Sequence, residues 1–246
     1  MRSTRLFVLA LAAACARPAT VASPAIAAPA PAQPRALSND IKWFRASAEY
    51  RALALQAFHV AAERLPDLSR NLAAKSWAVI LDADETVLDN SEYQRRRFML
   101  DSGYTPASWA KWVNERAAAP IPGAPEFTRR VHMLGGIVAI VTNRTEDLCD
   151  ATRANLRSAG IETDVVLCQR PGESDKNPRF ERVRSGAATP DAKPLTVVAW
   201  VGDNILDFPG MSQASRGDAN ALAEFGKRYF ILPNPMYGSW QQLREP

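Results

Sequence analysis

The stretch VILDADETVLDNSEYQ, residues Val79–Gln94, contains a hydrophobic run that passes directly into a cluster of acids. The run begins two residues before this stretch, and all of Trp77–Leu81 is apolar, which predicts a short strand buried on both faces. Asp82, Asp84 and Glu85 follow within four positions. Because like charges repel at such short range, these three acids indicate a functional requirement for negative charge at the end of the strand.

The rest of the chain alternates short β-rich runs with helical segments. The further strand candidates are Ile137–Val141, Val165–Cys168, Thr196–Val201 and Tyr229–Leu232, and helices are predicted over Glu126–Leu134 and Glu146–Ala159. This alternation predicts an α/β fold with a doubly wound, mostly parallel sheet of the Rossmann type. In such sheets ligands bind beyond the carboxyl ends of the strands, which is where Asp82 and Asp84 lie.

The chain divides into three predicted parts. Residues 1–27 resemble a signal peptide, and residues 28–37, rich in proline and alanine, are typical of a semi-extended tether. Residues 38–246 are expected to form a single folded domain. That domain begins with a helical segment, Ser38–Leu65, which Pro66 is expected to end.

Two processing sites compete in the predicted export signal. An apolar run, Leu6–Ala16, is followed by the small-x-small sequence Ala25–Ala27, an ordinary cleavage site. A lipobox-like sequence ends at Cys15, whose acylation would attach the protein to a membrane. Ala12 occupies the position at which that pattern prefers a branched aliphatic residue. We expect an exported protein that is periplasmic, anchored to the outer membrane or secreted.

The charge balance argues against a nucleic-acid polymer as partner. The whole chain has a net charge of +4, from 30 basic and 26 acidic side chains. Three arginines lie in the predicted signal peptide, so the remainder keeps 27 basic and 26 acidic side chains. A nearly balanced surface does not favour DNA or RNA binding.

Two cysteines, Cys149 and Cys168, follow the predicted signal peptide. In an oxidising compartment they can form a disulfide, and otherwise they are small buried hydrophobic residues. The sequence leaves both alternatives open. It contains no CxxC or histidine-rich spacing typical of structural zinc.

Polar residues recur along the chain in a set order, each group following an apolar strand or lying between two strands. The groups are Asp82-x-Asp84-x-Thr86, Thr142-Asn143-Arg144, Lys176, and Gly202-Asp203-Asn204 with Asp207. This order resembles the haloacid dehalogenase-like (HAD) hydrolase superfamily, whose members use an aspartate nucleophile and Mg²⁺.

The resemblance implies that Asp82 attacks phosphorus and forms an acyl-phosphate. Because Asp82 and the incoming phosphate are both anions, a hard dication is needed between them, and Mg²⁺ prefers oxygen ligands. Asp82 and Asp203 would bind it through side chains and Asp84 through its backbone carbonyl. Asp207 would support the metal shell.

The remaining groups have implied roles in proton transfer and phosphate binding. Asp84 would protonate the leaving alkoxide and then deprotonate the attacking water. Thr142 and Lys176, with Asn143, would hold the phosphate oxygens. A solvated surface lysine is the alternative for Lys176, and a structural role at a helix start is the alternative for Arg144. Glu85 and Thr86 are expected to shape the turn.

A closer resemblance, to the class C acid phosphatases, covers roughly residues 41–242. This family includes outer-membrane lipoprotein 5′-nucleotidases. The blocks that carry the resemblance are WFRASAEYRAL (Trp43–Leu53), LDADETVLDNSEY (Leu81–Tyr93), WAKWVNERAAAPIPGAPEF (Trp109–Phe127), VTNR, SDKNPRF, VGDNILDF and LPNPMYGSW. It implies that Trp109 and Tyr237 stack on a nucleotide base, with packing as the alternative for both. A small cap at about residues 88–122 would cover the site, while Trp112 and Trp240 are expected in the core or an interface.

The predicted function is therefore that of a Mg²⁺-dependent acid phosphatase. Its substrates would be small-molecule phosphomonoesters, above all nucleoside monophosphates. A phosphotransferase of the same fold and a non-catalytic surface or storage protein are the alternatives. A homodimer is compatible with the sequence, which does not fix the oligomeric state.

Overall fold

The computed structural model describes residues 36–244, so the predicted signal peptide, Cys15 and most of the tether lie outside the described residues. Within the described part, the helices are α1 (Asn39–Ala46), α2 (Ala48–Leu68), α3 (Ser91–Met99), α4 (Pro106–Glu115), α5 (Ala124–Met133), α6 (Cys149–Ser158) and α7 (Asn177–Arg184). The strands are β1 (Trp77–Leu81), β2 (Leu88–Asp89), β3 (Ala119–Pro120), β4 (Ile137–Thr145), β5 (Val165–Gln169), β6 (Thr196–Gly202) and β7 (Tyr229–Ile231). None of the helices in residues 36–244 is long and apolar enough to cross a membrane.

The main sheet has five parallel strands in the order β5-β4-β1-β6-β7. Strand β1 is central, because Leu81 pairs with Ile140 of β4 on one side and Val201 of β6 on the other. From β1 the chain goes outward through β4 to β5 and then crosses to β6 and β7 on the other side of β1. The ends of β1, β4 and β6 therefore form the switch point of the sheet. The α/β prediction with a doubly wound parallel sheet is confirmed.

Both faces of β1 are buried, as its apolar composition predicts. Trp77, Val79 and Leu81 belong to a core cluster that includes residues of α1, α2, α5 and α6. Ala78 and Ile80 belong to a second cluster, which includes residues of α7. Alternating side chains of one strand therefore enter two cores, which fixes the strand and the acids that follow it.

The N-terminal helical segment differs from the prediction of one helix ended by Pro66. It breaks at Ser47, whose extended backbone caps α2 through a side chain that accepts a hydrogen bond from the Tyr50 amide. Helix α2 then continues past Pro66 to Leu68. The last turn closes because the backbone and hydroxyl of Ser69 both donate to the Leu65 carbonyl.

Cys149 and Cys168 form a disulfide, with 5.9 Å between their Cα atoms. The bond joins the first residue of α6 to β5, so the alternative of two unpaired buried cysteines is wrong.

Residues 88–122, here called the cap segment, leave the sheet after β1 and return before α5. Antiparallel pairing of β2 with β3 closes the base of this segment, with Leu88 opposite Pro120. Helices α3 and α4 lie between the two strands. Thr105 starts α4 as a capping box with Ser108.

Candidate active site

A cavity of about 960 Å³ opens at the switch point of the sheet. The predicted site residues that line it are Asp82, Asp84, Trp109, Asn143, Lys176, Asp203, Asp207 and Tyr237. Thr142 is the exception, because it is completely buried and does not line the cavity. One cavity therefore brings together predicted site residues that are distant in sequence.

The floor of the cavity is acidic. Asp82, Asp203 and Asp207 each offer a carboxylate oxygen, and these oxygens lie within 4.8 Å of one another. Gly202 permits this approach, since a Cβ there would lie 2.3 Å from the Asp207 Cβ. The cluster provides hard oxygen donors suited to a divalent metal ion. Asp207 lies as close as the two expected ligands, so it can bind the ion directly as well as support it.

Lys176 lies inside this acidic cluster. Its Nζ is 2.5 Å from Asp82 Oδ1 and 2.6 Å from Asp207 Oδ1. The side chain is only 6% exposed, so the alternative of a solvated surface lysine is wrong. Burial lowers the pKa of Lys176, but Asp207 and Asp82 outweigh burial and raise the pKa above its ordinary value.

The carboxylates carry more negative charge than one lysine balances. Burial raises the pKa of Asp82 to about 7, with Lys176 opposing the shift and Asp207 and Asp84 adding to it. Burial also raises the pKa of Asp203, with Asp207 and Asp82 adding to the shift. A dication would relieve this repulsion, so the charge and the donor set of the cluster both fit a metal ion.

Asp84 is bound by an arginine and an asparagine, whereas Asp82 and Asp207 contact Lys176. Its Oδ1 accepts hydrogen bonds from Asn90 Nδ2 at 2.8 Å and Arg144 Nε at 2.9 Å, and pairs with Arg144 Nη2 at 2.8 Å. Arg144 lies in β4 and its side chain is fully buried, so a role at a helix start is excluded. Asn90 was missed, although it belongs to the LDADETVLDNSEY block.

Thr142, Asn143 and Arg144 belong to β4, which is longer than predicted. Strand alternation therefore buries Thr142 and Arg144 and exposes Asn143 to the cavity. The Thr142 hydroxyl accepts a hydrogen bond from the Arg144 amide at 3.1 Å. Asn143 Oδ1 accepts one from the buried Arg179 guanidinium at 2.5 Å. Arg179 was missed, because only its place in the SDKNPRF block marks it.

Two further residues orient Asp203. Thr86 donates its hydroxyl to Asp203 Oδ1 at 3.1 Å, and Asn234 Nδ2 donates to Oδ2 at 2.8 Å. Thr86 thus does more than shape the turn, and Asn234 was missed although it lies in the LPNPMYGSW block. Glu85 has the turn role expected of it: its φ is 55°, and its amide donates to the Leu88 carbonyl at 2.8 Å.

Aromatic residues form the upper walls of the cavity. Trp109 of α4 packs edge-on against Tyr93 at 5.1 Å between ring centroids, and the Arg144 guanidinium lies 5.5 Å from the centre of the Trp109 ring. Tyr237 lines the cavity from the C-terminal part of the chain. Trp112 is buried as expected, whereas Trp240 is 42% exposed and is not a core residue.

Known proteins are similar to this chain in sequence and in fold. The sequence model of the HAD superfamily, subfamily IIIB (acid phosphatase), matches residues 8–240. The crystal structure of the class C acid phosphatase from Bacillus anthracis with tungstate bound is similar, with a TM-score of 0.72 and 31% identity. That match covers 82% of this chain and 85% of the other.

Curated plant proteins are more distant relatives. The stem 28 kDa glycoprotein of Glycine max is 25% identical, over 64% of this chain and 58% of its own length. Acid phosphatase 1 of Solanum lycopersicum is 28% identical, over 64% of this chain and 57% of its own length. The chain thus spans little more than half the length of these relatives. The family match, which covers most of the chain, shows that it belongs to the acid phosphatases of HAD subfamily IIIB.

Proposed function

We propose that the protein is an Mg²⁺-dependent acid phosphatase that hydrolyses small phosphomonoesters through an aspartyl-phosphate on Asp82. The observation that carries this proposal is the position of Asp82. Its carboxylate lies on the cavity floor, beside Lys176 and two further acids, with Asp84 in the same hollow. A nucleophile, a cation and a second acid are therefore within reach of one bound phosphate.

In the first step, Asp82 attacks phosphorus while the bond from phosphorus to the leaving oxygen breaks. Asp84 gives its proton to the leaving oxygen, so that an alcohol departs rather than an alkoxide. Lys176, at the Asp82 oxygen, balances the negative charge that develops on the phosphoryl group. Mg²⁺, held by Asp82, Asp203 and Asp207, would supply the charge that lets two anions meet.

In the second step, water attacks the phosphorus of the aspartyl-phosphate. Asp84 takes the proton from this water, the bond from phosphorus to Asp82 breaks, and inorganic phosphate leaves. Both aspartates then have their starting protonation states, so the cycle closes without another reactant.

Nucleoside monophosphates are the proposed substrate class. Trp109 and Tyr237 both line the cavity above the acidic floor, and the flat faces of such rings favour stacking on a base. The cap segment contributes Trp109 and would help to exclude water from the reaction. The disulfide between Cys149 and Cys168 supports a location outside the cytoplasm, where such bonds persist.

A substrate panel tests this proposal. p-Nitrophenyl phosphate, nucleoside monophosphates and sugar phosphates are compared with and without Mg²⁺, and hydrolysis of all three classes is expected only with the ion. Trp109→Ala and Tyr237→Ala should raise the KM for a nucleoside monophosphate about tenfold and leave that for a sugar phosphate nearly unchanged.

Trp43→Ala is the matched control, because Trp43 is a half-buried tryptophan of α1 that does not line the cavity. Equal KM changes for both substrates in the Trp109 and Tyr237 variants would contradict the nucleotide assignment. Absence of turnover of any phosphomonoester would contradict the proposed activity itself.

A further inference from the structure

Asn90 is the centre of a buried polar network beside the candidate active site. It is completely buried, and its side chain forms hydrogen bonds with Asp84, with Trp112 of α4 and with Arg144 of β4, besides longer ones to Glu85 and Leu88. Its Nδ2 donates to Asp84 Oδ1 at 2.8 Å. Its Oδ1 accepts from Trp112 Nε1 at 2.8 Å and from Arg144 Nη2 at 3.1 Å.

The chemistry of the partners fixes the orientation of the Asn90 amide. Indole and guanidinium nitrogens only donate hydrogen bonds, so both must face Oδ1. The NH₂ group is therefore directed to Asp84, whose Oδ1 accepts its hydrogen bond. The backbone amide of Asn90 also donates to Glu85 Oε1 at 2.8 Å, which holds the main chain in place.

All of these contacts on Asp84 fall on the same oxygen. Asn90 Nδ2, Arg144 Nε and Arg144 Nη2 all lie within 2.9 Å of Oδ1. Rotation of the Asp84 carboxylate would break these contacts and leave buried donors without an acceptor, which is costly. Oδ2 is therefore the oxygen left to face the cavity, which Asp84 lines.

We propose that Asn90, at the start of the cap segment, is a positioning residue for Asp84 and that it links the orientation of this acid to helix α4 through Trp112. This inference rests on the proposed role of Asp84 in proton transfer. Asn90 itself touches no reacting atom. It holds the carboxylate so that Oδ2 can reach the leaving oxygen, and small errors in such alignment reduce catalysis strongly.

The leaving group provides the test. A sugar phosphate or nucleoside monophosphate releases an alkoxide that needs a proton, whereas p-nitrophenyl phosphate releases a stable phenolate that needs little help. The ratio of kcat/KM for the alkyl ester to kcat/KM for p-nitrophenyl phosphate therefore reports on Asp84. Partial unfolding lowers both values equally, so the ratio does not depend on how much of a variant is folded.

We expect Asn90→Ala to lower this ratio roughly tenfold. Trp112→Phe, which removes the Nε1–H donor and keeps a smaller aromatic ring in the core, should lower it about threefold. Asn155→Ala is the matched control. Asn155 is also buried and holds the backbone of Ala118 in the cap segment through two hydrogen bonds, but it does not contact Asp84. The ratio measured for Asn155→Ala should equal that of the unmodified protein.

Asp84→Asn separates this inference from the proposed function. If Asp84→Asn lowers the ratio and Asn90→Ala does not, Asn90 has no positioning role and the inference alone is overturned. If Asp84→Asn leaves the ratio unchanged, the proton-transfer role of Asp84 fails and the inference fails with it. A drop in the Asn155→Ala control equal to that in Asn90→Ala would also overturn it, since any loosening of the cap segment would then suffice.

Discussion

The Nζ atom of Lys176 lies 2.5 Å from Oδ1 of Asp82, and both side chains are almost fully buried. Asp207 accepts a second hydrogen bond from the same Nζ at 2.6 Å. One lysine thus holds two carboxylates that would otherwise repel each other in a medium of low polarity. The contacts of Lys176 with Asp82 and Asp207 therefore have a structural role before any substrate binds.

Lys176→Met should destabilise the metal-free protein by about 3 kcal/mol, because two buried carboxylates lose their counter-charge. Added Mg²⁺ should restore part of this loss by replacing the missing positive charge. Thermal unfolding with and without the ion measures both effects, with the exposed Lys42→Met as control. Equal melting temperatures for Lys176→Met and the unmodified protein without Mg²⁺ would contradict this account.

Asp203→Asn and Asp207→Asn should each raise the Mg²⁺ concentration needed for half-maximal activity by roughly 10- to 100-fold. Both substitutions keep the side-chain shape and weaken the attraction to a dication. Mg²⁺ titrations of metal-stripped protein provide the measurement, and Asp150→Asn is the control because the Asp150 side chain is 99% exposed. The metal assignment fails if activity persists in the presence of a chelator.

His132 of α5 should make stability depend on pH. Burial lowers the pKa of His132, but hydrogen bonds to Glu162 at 2.8 Å and Asp164 at 2.7 Å raise the pKa above its ordinary value of 6.5. Because the folded protein binds this proton more tightly, the stabilisation is complete below pH 6.5 and is lost as pH rises through the folded pKa.

We therefore expect His132→Gln to lower the free energy of unfolding by about 0.5–1 kcal/mol at pH 6, and by less at pH 9. Urea unfolding at the two pH values measures this difference. His59→Gln, at an exposed histidine of α2, is the control. A loss that is larger at pH 9 than at pH 6 would show that the two ion pairs do not stabilise the fold.

The disulfide between Cys149 and Cys168 spans 19 positions and restricts the unfolded chain. Its removal by Cys149→Ala with Cys168→Ala should cost about 3 kcal/mol, since loops of this length lose that much closure entropy. Urea unfolding of this double variant and of the unmodified protein, with and without a reductant, checks the value. If reduction leaves the midpoint of the unmodified protein unchanged, the bond does not contribute to stability.

The strand ends of this fold were predictable because their chemistry is local. A fully apolar β1 followed at once by Asp82 indicates both a buried strand and a site at its end. Lys176 could be expected near Asp82 from the order of the polar groups, but its burial could not. Burial depends on how the loop before α7 packs against the sheet, and that packing involves residues distant in sequence.

The misses have physical causes of two kinds. The predicted strand ends at Val141, before Thr142, but β4 continues to Thr145, so alternation buries the Thr142 side chain. The break at Ser47 was missed because helix-forming sequence lies on both sides of it. Asn90 and Arg179 act through networks that join several elements, and no local pattern reveals such contacts.

The aspartyl-phosphate itself can be measured. The protein is mixed with substrate and Mg²⁺, quenched in acid during turnover, reduced with borohydride, and mapped by mass spectrometry. Borohydride converts an acyl-phosphate of aspartate into homoserine, so we expect homoserine at position 82 and none in Asp82→Asn, which should also lack turnover. Homoserine at Asp84 or Asp203 instead, or full hydrolysis by Asp82→Asn, would contradict it.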